Sequence, residues 1–163
     1  MAPAELSTLL RLVPLVTTSC SLWFSMDQHL FLSVFIEQEN QALSEPLISP
    51  YFRTMFRRGA PRVAALLGAT VLSTIANLRL SDASLLTERG SYNYYVAVGA
   101  FAVGHMLFVP WIKPSIDALH AGAKDRGLQT LGEWIHIHDY RTATADLAAW
   151  ICCLLAVSKT LTP

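Results

Sequence analysis

Four stretches of this chain are long and apolar enough to cross a bilayer as helices, at about 20 residues each, and nothing else in the sequence constrains the fold as tightly. They run over 6–35, 61–80, 92–111 and 131–158. With short connections between them, the expected fold is all-α, a single antiparallel four-helix transmembrane bundle over residues 1–163. The first and last stretches exceed what a bilayer needs, so they either tilt or project into water. Composition agrees. The chain is 53% hydrophobic and 15% charged, against roughly 25% charged in soluble domains.

Punctuation sets the expected boundaries. Gly59 and Pro61 open the second helix, because proline suits a first turn whose N–H groups lack partners anyway. Pro110 and Pro114 close the third, where Trp111 suits the membrane interface. The intervening "EQENQALSEPLISPYFRTMFRRG", "SDASLLTERGS" and "DALHAGAKDRGLQ" read as connections. The connections after the first and third helices and their flanks carry Arg53, Arg57, Arg58, Arg62, Lys113, Lys124, Arg126 and Arg141. The other side has Arg11, Arg79, Arg89 and Lys159, so the first set is expected in the cytoplasm and both termini across the membrane.

Twelve basic and twelve acidic residues leave no net charge, which argues against a nucleic-acid partner. Cys20, Cys152 and Cys153 lie in apolar runs without metal-ligand spacing or the even count of a disulfide framework, and read as small packing residues. Arg11 is the only early positive charge and no small-x-small site follows, so the first helix is expected to stay rather than be cleaved as a signal. The sequence contains no Asn-x-Ser/Thr glycosylation site.

Ionisable groups inside such segments carry the functional information. A charge in hydrocarbon costs at least about 2.5 kcal/mol, so these residues are expected to face the bundle interior. In the fourth helix, at about 100° per residue, Trp134, His138, Arg141, Thr142, Asp146 and Cys153 fall within an arc of roughly 160°, with Asp139 at its edge. A wet helix entrance accounts equally well for His136 and Asp139. Asp146 is different, because "LAAWICCLLAVS" follows it without another charge before Lys159; it requires a partner. The first helix offers Asp27 on a face with Cys20, Trp23, Phe24 and Phe31, and the third places His105 with Tyr94, Phe101 and Phe108. Thr70, Ser73 and Asn77 share a face of the second and suit interhelical hydrogen bonds. "HIHD" is not a helical zinc pair, since its histidines are two apart rather than four, and there is no phosphate loop or nucleophile elbow. No metal and no cofactor is expected.

The motifs "YFRTMFRRGAP", "LFVPWIKPSIDAL" and "WIHIHDYR", the last with Trp134, His138 and Arg141 at a spacing of four and three, resemble the anthrone oxygenase-like family. These are small four-helix membrane proteins of fungal biosynthetic clusters. The resemblance implies an enzyme acting with molecular oxygen, without metal or flavin, on a lipophilic polyketide-like small molecule in an internal membrane such as the endoplasmic reticulum. Membrane lipid and a second copy of the chain are further expected partners. The chain departs from that pattern at Ile116 and His138, where asparagine is expected, and at Asp27 and Asp146, where neutral residues are.

Two intramembrane carboxylates beside Arg and His suit acid and base work, so the leading expectation is an epoxide hydrolase or epoxide-opening cyclase. Asp27 and Asp146 would be its acid and base, assisted by His138, Arg141 and His105. Trp23, Phe24, Phe101, Phe108 and Trp134 would wall the apolar substrate, with Asn77 a further contact. The alternatives are the family's own oxygenation, with His105 or His138 as base, and a non-catalytic lipid-binding or assembly protein.

Overall fold

A computed structural model describes residues 4–80, 83–122 and 126–161; Lys124, counted above for orientation, lies outside them. The described chain is helical throughout its elements: α1 (Ala4–Ser33), α2 (Gln41–Leu80), α3 (Ala83–Glu88), α4 (Tyr92–Gly104), α5 (Val109–Ala121), α6 (Gly127–Arg141) and α7 (Leu147–Leu161). A 3₁₀ turn, His105–Phe108, joins α4 to α5, and a π turn, Thr142–Asp146, joins α6 to α7. Four continuous helical rods result, each long and apolar enough to cross a membrane.

Several expected boundaries are corrected. The second helix begins at Gln41 rather than Pro61, with Pro46, Pro50 and Pro61 inside it. All three prolines are exposed, so each ring, and the carbonyl one turn back that loses its donor, lies on the outer face rather than in the packing. The third helix does not stop at Pro110 but runs to Ala121. Pro110 cannot donate to the Met106 carbonyl; the 3₁₀ turn tightens so that Val109 N–H donates to it instead. The helix ends where Gly122 adopts φ 78°, a left-handed conformation that costs glycine nothing, and its N–H caps the Ala118 and Leu119 carbonyls. The segment expected as the second connection contains α3, and the last rod spans 127–161 rather than 131–158.

Neighbouring rods run antiparallel. Asn77 Nδ2 donates to the Leu10 carbonyl (2.9 Å), Thr17 meets Thr70 (2.7 Å), and Phe24 and Gln28 lie against Gly59, so α1 descends as α2 rises. Trp150 Nε1 donates to Ser19 Oγ (3.0 Å) while Ser25 meets Asp146, so the last rod is antiparallel to α1, and Tyr95 clusters with Ala156 while His105 meets Asp146, so it is antiparallel to the third rod as well. Apolar packing concentrates at the two ends. Phe52, Ile112, Leu119, Leu131 and Trp134 form the larger cluster, and Leu86, Tyr95, Val98, Cys153 and Ala156 fill the opposite end. The polar layer lies between them.

Candidate active site

The site is assembled by a change of helical register. In an α-helix, residues five apart diverge by about 140° and cannot meet. Between Arg141 and Asp146 the backbone takes a π turn, with Leu147 N–H donating to the Thr142 carbonyl five residues back. That turn carries Arg141 and Asp146 to the same face, where Arg141 Nε donates to Asp146 Oδ2 at 3.3 Å. Single π turns occur often at functional sites for this reason: they re-aim side chains without ending the helix.

Asp146 is the hub, 7% exposed. His105 Nδ1 lies 2.7 Å from Oδ1, and Ser25 Oγ donates to Oδ2 at 3.3 Å. Arg141 Nη2 donates to Ser25 Oγ (3.3 Å) and to His138 Nδ1 (3.0 Å), while His138 Nε2 lies 2.9 Å from the Ser25 carbonyl. These partners determine tautomers. Guanidinium only donates and a carbonyl only accepts, so His138 is the neutral ring with its proton on Nε2. Both its nitrogens are occupied, it is fully buried, and it stacks on Trp134 (centroids 4.7 Å apart).

His105 differs. The carboxylate accepts its Nδ1–H, and no described residue bonds to its Nε2. Arg141 likewise uses Nε and Nη2 on protein partners, and no described residue accepts from Nη1. Both residues line a cavity of about 230 Å³, with Trp134 and Gln28 and apolar walls from α2 and α5. The two residues that carry these unengaged nitrogens thus border one small chamber.

The other expected site residues lie elsewhere. Asp27 is half-buried, makes no hydrogen bond or ion pair with a described residue, and lines a separate groove of about 630 Å³ with Trp23, Ser25, His29, Asp139 and Thr142. Near that groove's rim, His29 Nδ1 pairs with Asp139 Oδ1 at 2.8 Å. Phe24 faces a third cavity beside Arg58 and Gly59; Phe101 is 40% exposed; Phe108 packs edge-on against Trp111. Asn77 spends its amide N–H groups on the Leu10 and Ser73 carbonyls. Of the residues expected to wall the substrate, Trp134 alone borders the His105 chamber.

Ser25 and Gln28 are the residues that sequence reasoning missed. The signal was present: Thr18, Ser21, Ser25, Gln28 and Leu32 recur at alternating steps of three and four, the seam of a helix packed on its neighbours. Asp27 is off that seam.

The fold and site define a class: an all-helical protein of four long apolar rods with an internal His–Asp–Arg centre. No family model matches the chain, and no solved structure matches it. Three fungal proteins do. The chain is 31% identical to epoxidase gkaX of Penicillium citrinum, over 91% of its own length and 92% of the relative's. It is 24% identical to probable epoxidase scpX of Mollisia scopiformis, over 97% and 99%, and 22% identical to epoxidase pydX of an Acremonium species, over 94% of each. The chain belongs to this family of fungal proteins named epoxidases.

Proposed function

We propose that the protein is a membrane-embedded enzyme that forms an epoxide on a lipophilic, polyketide-like molecule of fungal secondary metabolism, with His105 as its base. The observation that carries this reading is the buried His105–Asp146 pair, with His105 and Arg141 lining the same chamber. Two further observations support it: the relatives are named epoxidases, and the rods present apolar residues outward, Leu72, Leu107 and Trp23 each being more than 60% exposed. Water does not tolerate so large an apolar surface, and lipid does.

The chemistry balances without an external reductant. His105 Nε2 takes a proton from an acidic C–H or enol of the substrate, and Asp146 stabilises the imidazolium while holding its orientation. Arg141 balances the carbanion or enolate. Dioxygen accepts two electrons from that carbon as the C–O bond forms, and the imidazolium returns the proton to give a hydroperoxide. Transfer of its distal oxygen to a neighbouring C=C breaks the O–O bond and leaves an epoxide and a hydroxyl. Both oxygen atoms stay in the product.

Epoxide opening is the second reading, because the same dyad can draw a proton from water or a tethered hydroxyl while Arg141 donates to the departing oxygen. In either case Asp146 works through His105 rather than as a partner of Asp27, since its oxygens are taken by His105, Ser25 and Arg141. Membranes carrying the full chain, given an anthrone or an enolic polyene under isotopically labelled dioxygen, test the first reading by label in the product. Conversion of a polyene epoxide in labelled water without oxygen would support the second instead.

A further inference from the structure

The arginine-rich stretch before the apolar part of α2 takes no part in the chemistry above. Arg53, Arg57, Arg58 and Arg62 are exposed, and none forms an ion pair with a described carboxylate. Arg53 and Arg57, four apart, share one face of α2. With Pro50, Thr54 and His120 they line a cavity of about 660 Å³ that has no residue in common with the His105 chamber. His120, in the last turn of α5, is held by edge contacts to Phe56 (5.3 Å) and Phe52 (6.0 Å). Its Nε2 is buried without a partner among the described residues, although a ring nitrogen out of water is costly to leave unbonded. Asp117, one turn earlier on α5, is engaged by Lys113 and does not neutralise the arginines.

We propose that Arg53 and Arg57 form a seat for the phosphate of an anionic phospholipid, with the His120 ring as part of its wall. Charge selects the ligand: two exposed guanidiniums present only donors, and guanidinium geometry matches two phosphate oxygens. Level selects its source. The seat lies where the apolar run of α2 gives way to Tyr51, Phe52 and the arginines, the composition of a membrane interface, so the phosphate arrives on a lipid. This rests on the membrane reading proposed above, not on the epoxide chemistry.

The test uses the full chain in phosphatidylcholine vesicles, pure or doped with phosphatidic acid, with lipid retained on the released protein measured by native mass spectrometry. Wild type is expected to retain phosphatidic acid in preference to phosphatidylcholine. The R53Q/R57Q variant should lose that preference roughly tenfold or more, while R53K/R57K keeps part of it and R58Q/R62Q most of it. Circular dichroism checks that each variant is folded. Equal retention by wild type and R53Q/R57Q would overturn the seat, and displacement by inorganic phosphate would make it a site for soluble anions instead. Failure of wild type to float with pure phosphatidylcholine vesicles would defeat the membrane reading itself, and the seat with it.

Discussion

Asp146 concentrates the site's dependence on single residues. Its carboxylate is the counter-ion of Arg141, whose side chain is 10% exposed, and it fixes the His105 tautomer. Asp146→Asn therefore leaves a buried guanidinium without its charge partner, a change that typically costs about 3–5 kcal/mol. Chemical denaturation in detergent should register that loss, and turnover should fall with it. His105→Asn makes the contrasting case: the amide can still donate to Asp146, but the open base nitrogen is gone. The folded protein should persist with turnover reduced roughly 10²–10⁴-fold. Asp27→Asn, in a half-buried residue with no described partner, should change stability by no more than about 0.5 kcal/mol and retain most activity. Loss of turnover in that variant equal to the loss in Asp146→Asn would restore a paired-carboxylate mechanism. Sequence alone placed His105, His138, Arg141 and Asp146 correctly inside, because hydropathy makes buried charge conspicuous. It gave Asp27 the same weight, because hydropathy does not say which face of α1 meets its neighbours.

At the scale of elements, the π turn at Thr142–Asp146 decides whether Arg141 and Asp146 meet. Thr142 Oγ1 and Thr144 Oγ1 donate to the His138 and Tyr140 carbonyls, supporting a turn whose backbone bonding is irregular. Deleting the exposed Ala143 should leave a regular α turn in which Arg141 and Asp146 are four apart, about 40° from one another on one face, so that they still meet. The expected result is a helical protein, by circular dichroism, that keeps the pair and much of its activity; complete loss of activity would show that the π turn does more than absorb one residue. A periodicity argument at 3.6 residues per turn brought these side chains to one arc but had no means of registering the extra residue. Proline likewise misled at Pro61 and Pro110, since helices accommodate it on an outer face or through a 3₁₀ turn. The entry of α6 is constrained more simply. Gly127 N–H donates to Glu45 Oε1 at 3.1 Å, and a Cβ there would lie 2.8 Å from Ile48 Cγ2. Gly127→Ala should destabilise by about 1–3 kcal/mol, measurable as a lower melting temperature.

For the whole molecule, the four rods were legible because each is a long apolar run, and the arrangement that follows is a polar layer between two apolar ends. The outward apolar surface predicts that the chain stays with the membrane fraction through an alkaline wash and leaves it only with detergent; release by the wash would argue against the membrane reading. Within that setting a chamber of about 230 Å³ is smaller than the roughly 300–1,000 Å³ of usual ligand sites, so on the proposed reading it would take the reacting end of a substrate rather than all of it. The central claim is that His105 starts an oxygen-dependent epoxidation there. The most direct measurement is label incorporation from isotopically labelled dioxygen into an enolic polyene, comparing wild type, His105→Asn and Asp27→Asn membranes. The account predicts labelled epoxide from wild type and Asp27→Asn, and none above background from His105→Asn. Labelled epoxide formed equally well by His105→Asn would contradict it.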